Sequence, residues 1–510
     1  MPTDKKKKRP TKIPALRVQQ WLDTWDDVLF DPAEHRRRPP GHFYLFTISA
    51  SQLRALSGIR RRSTKGKTAR KADLGVQRRH DEGRSMEIAQ FVRRGYPWSS
   101  LSKTKQRSGD FDDLIKPGWL PTALVVNILT PKDDRQGETV AQSDLISISD
   151  AETLSTIHLP ATTSDVRWTP TKLPPIEIID GQHRLWAFEE TSELDGEFEL
   201  PVVAFYGLDI SWQAYLFYVI NIKPKKINTS LAYDLYPLLR TEDWLDRVEG
   251  LPVYRETRAQ ELTEALWSYA DSPWHDRIDM LGEGGRQAVS QAAWIRSLTA
   301  TFIKSWEGRR VQIGGLFGSR MGEENAVLPW TRAQQAAFVI HLWSELEVAI
   351  GDCDAEWAEV LREAEPEEVL GGDAAFRGSK TLPNTDQGVR AIMAVVNDLC
   401  WVRSEALNLR AWPEGAFSDG TSTIGIGDSL KSLKKQDVGV FVADVMRSLA
   451  SYDFRTYSAP GLNEEQRNSK ARFRGGTGYR ELRRDLLLWL AESTDEISEA
   501  ANDVLEILER

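Results

Sequence analysis

A run of isoleucines that stops at a polar turn constrains this chain more than any other feature. Ile176, Ile178 and Ile179 read as a buried β segment, punctuated at its start by Pro174-Pro175. The run ends in Asp180-Gly181-Gln182-His183-Arg184. Leu185, Trp186 and Phe188 then return with the spacing of a helix running to about Glu190. Such a handover leaves backbone N–H groups free and sets the positive end of a helix dipole at the turn. It is therefore a candidate phosphate site. Gly181 has no Cβ, so its backbone can approach a ligand and adopt unusual dihedrals. Arg184 brings a permanent charge and a planar fork. His183 can donate a hydrogen bond or shuttle a proton, and Asp180 can hold magnesium or orient a water. The plainer role for the same residues is structural: Asp180 and Arg184 pin the helix and His183 packs part-buried beside them.

At 510 residues the chain is too long for one small core, and about two or three domains are expected. With 41% hydrophobic and 28% charged residues it has the composition of a soluble globular protein. No apolar run approaches the ~18 residues that span a bilayer, and the Lys-rich start lacks the apolar stretch of a secretory signal. Cys353 and Cys400 have no metal-ligand spacing and read as reduced thiols of a cytoplasmic protein.

The net charge of −9 conceals an asymmetry. Residues 1–120 carry 27 Lys and Arg against 13 Asp and Glu, while the remaining 390 carry 39 against 62. Basic clusters occur at Lys5 to Arg9, at Arg36 to Arg38, and at Arg60, Arg61 and Arg62 with Lys65, Lys67, Arg70 and Lys71. Such a split points to a polyanion as partner of the basic part. The alternative is a solvated tail and loop.

The coarse pattern is α/β in the first half and helical in the second. Residues 1–12 read as a disordered basic tail. Strands are expected at His42 to Ile48, Leu124 to Leu129 and Leu200 to Tyr206. Helices are expected from Asp81 to Arg94, ended by Gly95 and Pro97, and from a Ser211 cap onward. Residues 131–170 read as an insertion or a long hairpin. Beyond Thr229, helical spacing marks Ser230 to Leu239, Arg255 to Tyr269, Arg286 to Trp306, Thr331 to Ile350, Val389 to Arg410, Asp437 to Tyr452 and Arg480 to Leu490. Asp352 to Asp373 holds nine acids against one base, which fits a solvated helix face and a loop rather than a binding patch. Gly475-Gly476-Thr477-Gly478-Tyr479 and Gly314-Gly315-Leu316-Phe317-Gly318 read as turns. The 18 tryptophans, scattered at helical spacing, read mostly as core.

The string DGQHRLWAF, Asp180 to Phe188, resembles the signature of the DGQHR-domain proteins. That family includes the DndB-like proteins of DNA phosphorothioation and the DpdB-like proteins of deazaguanine DNA modification. Gly75-Val76-Gln77-Arg78-Arg79 with Arg84, Ile88 and Phe91 resembles the family's N-terminal helix. Leu124 to Asn127 resembles the following strand, and Phe217 to Leu235 a later stretch that here supplies Asn221, Lys225, Lys226, Asn228, Ser230 and Asp234. The resemblance covers roughly residues 40 to 240.

The resemblance implies a ParB/sulfiredoxin-like mixed-sheet domain over 13–240, followed by a mostly helical region over 241–510. It implies a nucleotide, ATP foremost, with magnesium as a further ligand. Asp180, His183 and Arg184 would act on the nucleotide, and Gly181, Gln182, Arg184, Asn221, Lys226 and Asn228 would bind it. DNA would meet Arg60, Arg61, Arg62, Lys65, Lys67, Arg78 and Arg79. Gln182 stands where sulfiredoxin-like enzymes place a nucleophilic cysteine, so sulfinic acid reduction is not expected. No G-x-x-x-x-G-K-[ST] string occurs, so a triphosphatase here would not be of the P-loop kind. The implied setting is a bacterial DNA-modification or restriction system, with other modification proteins as partners. A DNA-binding regulator and a ParB-like nuclease are the alternatives.

Overall fold

Why the isoleucine run is apolar on both faces becomes clear from its neighbours. A computed structural model describes residues 11–30, 38–58, 81–135, 137–165, 168–188, 194, 198–222, 228–235, 252–283, 289–304, 313–319, 327–366, 370–412 and 425–509. The chain divides into two compact units, Met1–Lys226 and Ile227–Arg510.

In the first unit the elements run β1 (Lys12–Gln19), β2 (His42–Ser49), α1 (Ala50–Leu56), β3 (Ser57–Gly58), α2 (Glu82–Arg94), α3 (Lys103–Ser108) and β4 (Leu124–Ile128). They continue with β5 (Ser147–Ser149), β6 (Leu154–His158), β7 (Ile176–Asp180), α4 (Gln182–Trp186), β8 (Glu199–Tyr206) and α5 (Ile210–Ile222). The described strands form one eight-stranded mixed sheet in the order β3-β7-β4-β8-β2-β1-β6-β5. The pairs β3/β7 and β4/β8 are parallel and the others antiparallel.

Local chemistry explains the element boundaries. Ser49 caps α1 by accepting from the Gln52 amide. Asp81 caps α2 by accepting from the Arg84 amide at 3.2 Å, and Gly95, at φ +64°, ends it. The helix after β8 is capped by Asp209 rather than Ser211: its carboxylate accepts from the Ser211 amide at 3.0 Å. The stretch 131–170 contains a hairpin, β5 with β6, which adds to β1 through Ile13 opposite Ile157. Its strands of three and five residues are too short to show a period in the sequence.

One face of the sheet is covered by α1 and α4. Leu53, Leu56 and Leu185 pack there on Leu124, Val126, Ile176 and Ile178, all buried. On β7 the residue between Ile176 and Ile178 is Glu177, also buried. Arg135 grips it with two parallel hydrogen bonds, Nε to Oε1 at 2.8 Å and Nη2 to Oε2 at 2.9 Å. Gln213 of α5 donates to Glu177 Oε2 at 3.2 Å and to the Leu208 carbonyl at 3.0 Å. Asn127 of β4 accepts from the Leu208 amide at 2.8 Å. Burial works against the charge of Arg135, but its hydrogen bonds to Glu177 and the nearby carboxylates outweigh it and hold the guanidinium above its ordinary pKa.

The second unit holds α6 (Thr229–Asp234), α7 (Pro252–Ser268), a parallel pair β9 (Ile278–Asp279) and β10 (Val289–Ser290), and α8 (Gln291–Ala300). Then come α9 (Arg332–Gly351), α10 (Glu356–Ala364), α11 (Ala374–Arg377), α12 (Asp386–Val402), α13 (Ile426–Leu433), α14 (Asp437–Ala450), α15 (Glu464–Ala471), α16 (Gly478–Ala491) and α17 (Glu496–Glu509). Thus α6, read in the sequence with the first domain, packs against α7 and α8. The helix expected over Arg286 to Trp306 is only Gln291–Ala300, because Val289 and Ser290 pair with β9 instead. The one expected over Val389 to Arg410 ends at Val402. Helix α9 is buried on nearly every side and starts in a reciprocal Thr331–Gln334 capping box. The tryptophans expected in the core are here: Trp274, Trp294 and Trp343 meet edge to face, with ring centres 4.9, 5.4 and 5.5 Å apart. Among the described residues no helix is long and apolar enough to cross a membrane.

Removing one partner of the Glu177–Arg135 pair strands a buried charge. We expect Glu177→Ala to destabilise the first unit by about 3–5 kcal/mol. The joint replacement Glu177→Leu with Arg135→Met should recover most of that loss in urea unfolding. Equal losses in the single and joint variants would show that the pair does not hold β7.

Candidate functional site

The junction after β7 is shaped first by a slip in strand register. Val125 faces Asp180 but Val126 faces Ile178, so the register shifts by one residue at Ile179. Such a bulge re-aims the end of a strand. Gly181 follows at φ +95° and ψ 14°, in the left-handed region. A Cβ there would lie 2.9 Å from Leu124 Cγ and 3.0 Å from Arg184 Nη2. Both conformation and packing reserve the position for glycine.

The helix that follows is shorter than its sequence suggests. It spans the five residues Gln182–Trp186, and Ala187 and Phe188 form a turn. Glu190 lies outside the described residues. So short a helix aligns few peptide dipoles, which removes most of the field expected at this turn.

The side chains arrange themselves around Asp180. Arg184 Nη2 donates to Asp180 Oδ2 at 2.8 Å. Arg184 Nη1 donates to Thr122 Oγ1 at 2.6 Å and to the carbonyls of Thr122 and Ala123. The guanidinium fork read from the sequence as a phosphate ligand is thus engaged in tying α4 to the residues before β4. Asn221 Nδ2 reaches Asp180 Oδ1 at 3.4 Å and also donates to the Phe217 carbonyl at 3.0 Å. The Asp180 and Arg184 side chains keep 23% and 18% exposure, so the junction is half-open rather than sealed. Gln182 Nε2 and His183 Nε2 lie 3.3 Å apart. Gln182 is 8% exposed, and its Oε1 is buried without a hydrogen-bond partner among the described residues. An orphan acceptor of this kind is costly, and a ligand N–H or O–H can relieve it.

The structure therefore brings together Asp180, Gly181, Gln182, His183, Arg184 and Asn221. Asn228 falls in the second unit. There it caps α6 by accepting from the Ser230 amide at 2.9 Å, and its amide donates to the Gly282 carbonyl. Ser230 is not the cap; its hydroxyl accepts from the Ala292 amide at 3.1 Å. Lys226, Arg60, Arg61, Arg62, Lys65, Lys67, Arg78 and Arg79 lie outside the described residues, as do Lys223 and Lys225. The sequence reading missed Thr122, Arg135, Glu177 and Gln213. Glu177 left a signal, an acid inside an isoleucine run; Thr122 left none.

No group of three or more His, Cys, Asp or Glu that could hold a metal ion occurs among the described residues. A magnesium ion would find one carboxylate here, Asp180, beside the Asn221 amide. That fits an ion carried in on phosphates better than a resident one. No family model matches the chain, and no curated protein or solved structure gives a match.

Gly181→Ala should cost about 1–3 kcal/mol. Arg184→Lys should not restore what Arg184→Ala loses, because an ammonium cannot reach Asp180 and Thr122 in one fork. Thermal unfolding checks both; an Arg184→Lys variant as stable as the parent would mean that the bridge is not needed.

Proposed function

We propose that the chain is a DGQHR-family protein of a bacterial DNA-modification or restriction system, cytoplasmic, with a ParB/sulfiredoxin-like first unit. It binds a nucleotide, ATP foremost, at Asp180 to Arg184 and DNA through its basic N-terminal region. The observation that carries this reading is the half-open Asp180 carboxylate, set at a strand–glycine–helix turn and touched by Arg184 and Asn221. Two separate family-like strings supply these residues.

The roles divide by chemistry. Gly181 lets the backbone come close to a ligand, and Gln182 Oε1 offers an unmet acceptor to a base or ribose donor. Asp180 would hold magnesium, which supplies countercharge to the phosphates. Arg184 positions Asp180. His183, part-buried next to Gln182, is the residue available to move a proton if the nucleotide is hydrolysed. Hydrolysis would be of a non-P-loop kind. The nuclease alternative is disfavoured because the described residues present no group of three or more His, Cys, Asp or Glu that could hold a metal ion. The spent Arg184 fork favours a second reading, in which nucleotide binding serves a DndB-like DNA-binding regulator and turnover is minor.

Asp180→Asn and His183→Ala should reduce ATP hydrolysis by about 10²-fold or more while both variants remain folded. Turnover equal to the parent in both variants would reject the site. For DNA, log affinity should fall linearly with log salt. Replacing Arg60, Arg61 and Arg62 by Ala should lower that slope by about one unit for each phosphate no longer neutralised. A slope untouched by the triple variant would take DNA away from that segment.

A further inference from the structure

Not all the tryptophans are core. In the first unit Trp21, Trp25 and Trp212 line a surface cavity of about 430 Å³, within the range of small-ligand sites, roughly 300–1,000 Å³. Its rings form a connected wall. Trp21 meets Trp25 at 5.5 Å and Phe30 at 6.2 Å; Phe30 meets Trp212 at 6.5 Å, and Trp212 meets Tyr215 at 5.6 Å. Phe43 of β2 and Phe205 of β8 add a second pair, 5.8 Å apart. Aromatic walls offer large flat area with few rotamers to freeze. The same turn leaves Leu22 and Leu29 57% and 90% exposed.

The charges around the cavity decide what it accepts. None of the described lining residues is a carboxylate. Beside the cavity Asp26 accepts from Trp21 Nε1 at 3.1 Å and pairs with Arg38. Arg38 already lies over the Trp21 ring, 4.6 Å from its centre. A quaternary ammonium, the usual guest of an aromatic cage, would meet the Arg38 cation, with the Asp26 carboxylate already paired to it. His42 in the lining is not a cation either. Arg17 Nη2 donates to its Nδ1 at 3.4 Å, and its Nε2 then donates to the Tyr44 hydroxyl at 3.0 Å. Burial, then the Arg17 charge, hold its pKa below the ordinary value, against a smaller pull from Asp150. Gln20 supplies both a donor and an acceptor at the lining. The guest that fits is a neutral, planar ring with a hydrogen-bonding edge and an anionic attachment outside, where Arg38 stands.

We propose that this cavity binds a nucleobase, stacked on its aromatic walls, with the adjoining phosphate at Arg38. For its source, an unpaired or extruded base of a DNA strand, the inference rests on the DNA-binding part of the function proposed above; the ring chemistry does not. Base–aromatic stacking is strong and tolerant of sequence, and a base taken from a duplex must be out of the stack first.

The test uses the full chain and oligonucleotides carrying 2-aminopurine, single-stranded or opposite a mismatch. Binding is followed by anisotropy of an end label and stacking by 2-aminopurine emission, with free adenosine and thymidine as a separate arm. Stacking should change the emission. Trp25→Ala and Trp212→Ala should each weaken single-strand binding by about 5- to 150-fold, with Trp→Phe at the same positions restoring most of it. Free nucleosides that bind and compete would keep the cavity's chemistry and assign it a free rather than a strand-borne base. Oligonucleotide binding with unchanged 2-aminopurine emission would overturn the inference while leaving DNA binding in place. So would affinity unaltered in both folded Trp variants, or no response to oligonucleotide and nucleoside alike.

Discussion

The structure of the first unit depends on one buried ion pair. Glu177 sits in the middle of β7 where the flanking residues are isoleucine, and its charge is tolerable there only because Arg135 meets both carboxylate oxygens. Gln213 and Asn127 complete the network through Leu208, so β4, β7 and α5 are joined by polar contacts that allow few alternative registers. A slip of β7 by one residue would carry Glu177 into the apolar face with Leu53 and Leu185. The pair thus fixes where β7 ends, and with it where Asp180 stands.

What happens at that end follows from local charge. Asp180 and Arg184 neutralise each other, and Arg184 Nη1 donates to Thr122 and Ala123. A phosphate cannot be held there by free countercharge alone. It needs an accompanying cation at Asp180 or a rearrangement of the arginine. The orphaned Gln182 acceptor and the half-exposed carboxylate are the open valences of the junction, and both suit a ligand richer than a bare anion. The aromatic cavity bounded by Trp21 and Trp212 differs in kind: large in apolar area, without a carboxylate among its described lining residues, with Arg38 over Trp21.

Much of this was legible in the residues. β2, β4, β7 and β8 show their apolar runs, α2 shows its Asp81 cap and Gly95 stop, and α9, α14 and α16 show helical spacing. α17 was legible but unread: Ile497, Ala500, Ala501 and Val504 repeat at i, i+3, i+4 and i+7, and all are buried. The short α10, α13 and α15 give weaker signals. Of the junction, the pentapeptide and the need for glycine at 181 could be read directly. That Asn221 joins it while Asn228 caps a helix of the other unit could not, since only six residues lie between them and nothing local distinguishes the two amides.

The sequence by itself determined β2, β4, β7 and β8 and the longer helices, the β-to-α turn at Gly181 and the concentration of positive charge before residue 120, because periodicity, backbone permissiveness and net charge are local properties of the chain. The tertiary structure alone decided the partner of Glu177, the engagement of Arg184 with Thr122, the bulge at Ile179, and that Trp21 and Trp212 line a cavity while Trp274 and Trp294 fill a core. Each of these is a contact between residues far apart in the chain, and such contacts are set by how the layers pack, which no single segment encodes.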